Sequence, residues 1–329
     1  WDELKQKVKK NHPNSARMNA SLAQKIADAE AQVADLERKV KTVSIKKIKE
    51  AIKGKEVPNF FEYAYKRMEI IKSTVSYSTY KAYYAAIVKF EKWVGTRDVY
   101  FDDFSVTLLN DYKNYLSKEL KNGLTTQRLS IIVLGTIFNQ AIKEEIIPET
   151  MFPFKKLTLK TDNTKRLFLN KDKILDLTQL KLIEGKKANL WRDLFLFSIY
   201  AGGLRFSDVI EMQYKHYNKN EQRISKLIRK TGRPHQFKIG KVAIDILEKY
   251  CKEGADNEDY IFPVIEDKKG YERSESLRYF YTAKYNKLAN WHLKKLGEKM
   301  ELPFKLSFHL SRHTFATNAL NNGMRIEHV

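Results

Sequence analysis

Leu194-Phe195-Leu196-Phe197-Ser198-Ile199-Tyr200-Ala201-Gly202-Gly203-Leu204-Arg205-Phe206-Ser207-Asp208 is the stretch around which this 329-residue chain is organised. Its first seven residues are apolar except Ser198, which suits a buried helix. Gly202 and Gly203 end that helix, because glycine adopts backbone angles that other residues resist. Arg205 enters a turn, and Ser207 is placed to cap a new helix. An arginine fixed between two helices presents its planar fork to a phosphate. Asp208, three residues on, is placed to orient that guanidinium. Taken alone, the same residues also read as a surface Arg–Asp pair beside a glycine turn, which is common and weak.

Two later stretches carry groups of the same kind. In Gln222–Ile239, Ile224, Leu227, Ile228, Phe237 and Ile239 flank Lys230-Thr231-Gly232-Arg233-Pro234. That predicts a hairpin with a basic turn. Lys230 on such an element can reach an oxygen and give it a proton. In Phe308-His309-Leu310-Ser311-Arg312-His313-Thr314-Phe315-Ala316-Thr317, His309 and Arg312 stand three apart at a helix start, hence on one face. Anions are favoured there by the free N-terminal amides. His313 sits one residue round and is read as supporting the fold through a buried hydrogen bond. Phe315, Ala316 and Leu320 are expected on the buried face. The plain alternatives are a solvated turn lysine and solvated helix-start side chains.

Other chemistries lack their residues. The chain has no P-loop, no GxGxxG, no HExxH and a single cysteine, Cys251. Its acidic residues are scattered, with no cluster for two-metal chemistry. No cofactor and no metal are expected. Acting on phosphate without a metal requires fixed cations and a proton donor for the leaving oxygen.

The charge suits that partner. Lys and Arg number 61 against 40 Asp and Glu, a formal +21. Residues 1–57 carry +6, 58–165 carry +4 and 166–329 carry +11, so the excess is spread along the chain. A body positive throughout suits a polyanion held across a broad surface, although net charge also serves solubility. No apolar run approaches the roughly 20 residues a bilayer requires, so no membrane partner is expected. One thiol fits a reducing cytoplasm. The chain starts at Trp1, so no signal peptide can be read from it.

Residues 1–57 hold a heptad seam, Leu22, Ile26, Ala29, Val33, Leu36, Val40 and Val43, capped at Asn19 or Ser21. A short helix follows from Ser44. Residues 58–147 read as four helices, near Asn59–Ile71, Ser78–Val94, Ser105–Leu120 and Thr125–Glu144. Ser78 and Thr125 are their expected caps, and Gly95 and Gly123 their stops. The many aromatics of this block fall at helical spacing, which favours core packing over base stacking. Residues 148–166, with two prolines and five Lys/Arg, read as an inter-domain linker. Residues 167–329 mix the hairpin with helices near Lys171–Thr178, Lys186–Ala201, Lys241–Lys252, Ser276–Leu296 and Leu310–Asn321.

The three motifs, in this order, resemble those of the tyrosine recombinases, the lambda-type phage and mobile-element integrases. The resemblance covers about residues 58–329. It implies a mainly α fold with a small β component: a helical core-binding domain at 58–147, then an α+β catalytic domain at 167–329. Residues 1–57 resemble the end of an arm-binding region with its connecting helices. The resemblance implies that Arg205 and Arg312 clamp the scissile phosphate, His309 hydrogen-bonds it and shuttles a proton, and Lys230 protonates the leaving 5′-oxygen. Asp208 and His313 support them. A tyrosine attacks, giving a 3′-phosphotyrosyl intermediate. Lys81, Arg128 and Lys165 are candidate DNA contacts. The implied partners are double-stranded DNA, further copies forming a tetramer on it, and accessory DNA-bending proteins. The family places a further His or Trp and the nucleophilic Tyr downstream of the last motif. Here the last tyrosine is Tyr285, and the chain reaches Val329 before either, so a fragment inactive in cleavage is expected. The alternatives are a type IB topoisomerase-like or telomere-resolving enzyme, and a non-catalytic DNA-binding regulator.

Overall fold

The computed structural model describes residues 7–9, 12–39, 58–162, 167–181 and 187–325. The helix read from Ser44, the seam positions Val40 and Val43, and Lys165 lie outside the described residues. The chain divides into two units, residues 1–163 and 164–329.

The first unit opens with α1 (Ser15–Lys39). It starts earlier than the Asn19 or Ser21 cap. Asn19 lies inside it and pairs through its side-chain amide with both backbone groups of Val8. Leu22 is half-buried and Ile26 exposed. Four helices follow: α2 (Phe60–Ile71), α3 (Tyr77–Val94), α4 (Val106–Lys118) and α5 (Leu124–Lys143). Each begins at a definable signal. Asn59 accepts from the Glu62 N–H at 3.0 Å, and Ser105 from the Leu108 N–H at 3.0 Å. Ser76, not Ser78, caps α3 by accepting from Thr79, and Gly95 ends it at φ +79°. Gly123, read as a stop, instead stands at the N-cap of α5, where the Asp162 carboxylate accepts from the Thr125 N–H. The core is aromatic. Phe60 meets Phe90, Phe101, Phe104 and Phe138 at centroid distances of 4.6–6.0 Å, which contributes beyond burial alone. Phe152 and Phe154, in the stretch read as a linker, pack onto this core.

The second unit is built around α7 (Lys187–Tyr200), which is buried on most of its surface. Before it comes α6 (Lys171–Gln179); after it come α8 (Phe206–Ile210), a three-stranded sheet, α9 (Lys241–Tyr250), α10 (Lys268–Glu272), α11 (Glu275–Lys299) and α12 (His309–Asn321). The sheet is antiparallel in the order β1 (Tyr217–Asn218), β2 (Arg223–Ile228), β3 (Arg233–Lys238). Ile224 pairs with Phe237 and Ile228 with Arg233, so the turn is Arg229–Gly232. On β2 the buried side is Ile224, Lys226 and Ile228, while Leu227 is 62% exposed. Strand alternation therefore places a lysine where an apolar residue would be expected. Among the described residues, no helix is long and apolar enough to cross a membrane.

Candidate active site

The site begins where α7 ends. Gly202 and Gly203 both take positive φ, +71° and +66°. The Gly203 N–H returns to the Ser198 carbonyl at 2.8 Å, satisfying the helix end. Gly203 is also required for close approach: a Cβ built there would lie 2.8 Å from Phe315 Cδ1 of α12. Arg205 then occupies the N-cap of α8, with extended backbone angles. Ser207, expected to cap, lies inside the helix, because the turn closes two residues sooner.

Buried hydroxyls join this turn to the third motif. Ser198 Oγ donates to the Leu204 carbonyl at 2.7 Å and lies 2.7 Å from Ser311 Oγ, which donates to the Phe308 carbonyl at 2.6 Å. Thr314 Oγ1 accepts from the Leu169 N–H at 3.0 Å. The start of α12 is held by Asn290 of α11, whose side-chain oxygen accepts from the Phe308 N–H at 2.7 Å. The buried face of α12 is thus Leu310, Ser311, Thr314 and Ala319. This corrects the expectation for that face: Phe315 and Ala316 are half-buried, and Leu320 is 42% exposed. Small polar residues let α12 approach α7 closely while satisfying each other, and a hydrophobic pattern does not reveal such a contact.

Arg312 Nη1 donates to the Gly203 carbonyl at 2.7 Å. Its guanidinium pKa is lowered by burial first and by neighbouring Arg205 second, with Asp208 opposing. It remains charged, as arginine does in proteins. The Arg205 carbonyl accepts from the Val209 N–H at 3.0 Å, but the Arg205 guanidinium makes no hydrogen bond or ion pair among the described residues. Lys230, exposed in the hairpin turn, likewise makes none. His309 is exposed at the first position of α12. Partial desolvation lowers its pKa first, followed by His313, Arg312, Lys230 and Arg205. The structure therefore gathers Arg205, Lys230, His309 and Arg312 from three separate segments into one electropositive site. Like charges held together form a site that favours an anion.

Asp208 is 1% exposed, and neither carboxylate oxygen makes a well-formed hydrogen bond among the described residues. Burial raises its pKa, while Lys226, Arg205 and the Arg229 backbone N–H pull the other way. Asp208 thus faces Arg205 electrostatically without the direct hydrogen bond expected of an orienting partner. His313 differs too. Half-buried, its ring makes no hydrogen bond among the described residues and lies edge-on to the His309 ring at 4.6 Å. Lys81 and Arg128 are exposed on α3 and α5 of the first unit.

Residues that the motifs alone did not single out surround the hairpin. Buried Lys226 donates to the Glu211 carbonyl at 2.8 Å, and its pKa is lowered by burial despite Glu211 and Asp208. Glu211 Oε1 accepts from Arg229 Nη1 at 3.1 Å and from the Tyr271 hydroxyl at 2.6 Å. The alternation of Ile224, Lys226 and Ile228 is the one sequence signal that marks Lys226 as inward-facing. Nothing local marks Glu211 or Tyr271, which are brought together across 60 residues.

A cluster of basic side chains on a mixed unit, preceded by a small helical unit, suits a protein that handles nucleic-acid backbone. Residues 168–329 match the phage integrase family, residues 59–158 the phage integrase SAM-like domain, and residues 1–49 an arm DNA-binding domain. The chain belongs to the tyrosine recombinases of the phage integrase family, enzymes that cut and rejoin DNA. It is 26% identical over 230 residues to tyrosine recombinase XerA of Pyrococcus horikoshii, covering 69% of this chain and 72% of that protein. It shares its fold with the Tn1549 transposon integrase in complex with circular intermediate DNA (TM-score 0.60, 17% identity, 82% of this chain and 89% of that one). A lambda integrase tetramer bound to a Holliday junction is also similar (TM-score 0.57, 16% identity, 92% of this chain and 85% of that one).

Proposed function

We infer that this recombinase acts on the ends of a mobile element, using Arg205, Arg312, His309 and Lys230 on one scissile phosphate. The observation that carries the reading is the convergence of those four side chains at the N-termini of α8 and α12 and at the hairpin turn. Arg205 and Arg312 bind the non-bridging oxygens, and their hydrogen bonds strengthen as charge develops on phosphorus. His309 donates to the same phosphate. A tyrosine hydroxyl gives up its proton to solvent and forms a bond to phosphorus, the bond from phosphorus to the 5′-oxygen breaks, and the Lys230 ammonium gives that oxygen its proton. The 3′-phosphotyrosyl link conserves the energy of the broken bond, so a second 5′-hydroxyl can reverse the step. No tyrosine makes a hydrogen bond or ring contact with these four residues among the described ones, and we assign the nucleophile to none of them.

The transposon integrase on circular intermediate DNA supports a mobile-element substrate, and the lambda tetramer on a Holliday junction supports assembly as a tetramer on DNA. We assign the work to the cytoplasm and give Lys81 and Arg128 the role of backbone contacts of the helical unit. Two measurements test the reading. The 329-residue chain should bind duplex DNA with an affinity that falls steeply with salt, since counterions are released on phosphate contact. Protein expressed from the complete reading frame should form a denaturant-resistant adduct on a nicked substrate carrying the element's end sequence. Salt-independent binding, or no adduct on any such end, would refute it.

A further inference from the structure

The hairpin turn that carries Lys230 is almost bare. Arg229, Lys230, Thr231 and Gly232 are exposed, as are Arg233 to Gln236 of β3. Ile228 is the last buried side chain before the turn. The backbone closes it locally, with the Thr231 and Gly232 N–H groups both donating to the Ile228 carbonyl. Such a tip has little to hold it in one place relative to α8 and α12. Yet a proton donor must sit within hydrogen-bond reach of the oxygen it serves.

Among the described residues, one side chain of the turn is tied down: Arg229, the immediate neighbour of Lys230. Its guanidinium spans two carboxylates, donating through Nη1 to Glu211 at 3.1 Å and through Nη2 to Glu275. Glu211 is itself well fixed. Its side chain is 11% exposed, Tyr271 donates to the same oxygen at 2.6 Å, and Arg278 lies 3.8 Å away. The Tyr271 hydroxyl is 2.9 Å from Thr282 Oγ1 on α11. The Glu211 carbonyl, meanwhile, accepts from Lys226 on β2. Side chain and backbone of one residue therefore grip both the strand and the turn. Glu211 is also the C-cap of α8, whose N-cap is Arg205. The anchor of the acid's hairpin and one half of the phosphate clamp thus belong to the same short helix.

We propose that Glu211 is a positioning residue for Lys230: by holding Arg229, and with Tyr271 fixing its own orientation, it sets where the proton donor stands relative to the clamped phosphate. The inference rests on the reading of Lys230 as the acid. Its consequence is specific. Loosening the anchor should damage the step that needs a proton on the leaving oxygen and leave phosphate binding intact.

The test compares cleavage of substrates with a 5′-bridging oxygen or a 5′-bridging sulfur, using protein from the complete reading frame. Sulfur leaves without protonation, so it bypasses the acid. Glu211→Gln should slow cleavage of the oxygen substrate by about tenfold or more. It should recover most of that loss on the sulfur substrate, as Lys230→Ala does, with DNA affinity little changed. Glu275→Gln, at an exposed carboxylate, removes the outer half of the tie and should show a smaller loss with the same rescue. It also serves if Glu211→Gln folds poorly. In the 329-residue chain, amide exchange at residues 229–232 should accelerate in Glu211→Gln while α12 is unaffected. Rescue of Lys230→Ala without rescue of either glutamine variant would overturn the positioning role. No rescue of Lys230→Ala itself would overturn the reading beneath it, and the inference with it.

Discussion

Arg312 reaches back across 109 residues to donate to the carbonyl of Gly203, at 2.7 Å. One side of the proposed phosphate clamp is thereby braced on the turn that presents the other side, since Arg205 follows Gly203 by two residues. The brace also uses part of the guanidinium's donor set on protein and leaves the remainder for an anion. Two like charges are held near one another by backbone geometry, so the site is organised before its ligand arrives.

Gly203→Ala should be costly for two separable reasons. The position holds φ +66°, which a β-carbon disfavours, and the added atom would meet Phe315 at 2.8 Å. The backbone part alone amounts to about 1–3 kcal/mol. Thermal unfolding should show a clear loss, and adding Phe315→Ala should not recover the backbone part. An alanine variant that melts with the parent would refute the close packing of this turn against α12.

Arg205→Ala and Arg312→Ala should each cripple cleavage in protein from the complete reading frame. Losing one preorganised donor to a developing oxyanion costs about 3–4 kcal/mol in the transition state. A 5′-bridging sulfur should rescue neither, because the lost contact is to the non-bridging oxygens. Rescue of either arginine variant to the extent seen for Lys230→Ala would mean that the division between clamp and acid is wrong.

Proton uptake should accompany DNA binding near neutral pH. His309 has its pKa lowered by burial and by four cationic or ionisable neighbours. A phosphate supplies the opposite charge and raises it again, so the complex binds more protons than the free protein. Calorimetry in buffers of different ionisation enthalpy should detect the uptake, and His309→Asn should reduce it. Identical uptake in both proteins would exclude His309 as the phosphate-linked group.

His216 gives a folding signature independent of DNA. Its Nδ1 accepts from the Gln213 N–H at 3.0 Å, and burial, then Lys226 and Lys215, lower its pKa to about 4. The unfolded chain takes up this proton first as pH falls below roughly 6.5. The stabilisation is therefore complete above that pH and is lost as pH falls toward about 4. His216→Asn, which can retain an acceptor, should lose stability less steeply between those limits in denaturant titrations. An unchanged slope would show that His216 titrates as freely in the fold as outside it.

Helix positions in both units were legible from apolar spacing, because Phe60, Phe90 and Phe138 in the first and Leu194 and Phe197 in the second mark buried faces directly. The three motifs were legible because each sets its own local geometry: a double glycine stop, a hairpin turn and a helix start. What escaped is what depends on distant partners. The inward face of α12 is carried by Ser311 and Thr314, whose burial makes sense only beside Ser198 and Leu169. Ser78 and Thr125 looked like caps, but Ser76 and Gly123 lie where the chain enters the helices. Only its place between Ile224 and Ile228 marks Lys226 as inward-facing, and Glu211 has no local mark at all.

The five residues of α8 join Arg205 to Glu211 and measure about 7–8 Å along the axis. A rod so short has almost no compliance, and each residue advances it by about 100° of rotation. Substitutions inside it that keep the helix leave its two ends in phase. Adding or removing one residue between Phe206 and Ile210 swings Arg205 away from the direction in which Glu211 holds the hairpin. Across relatives, this segment should stay constant in length.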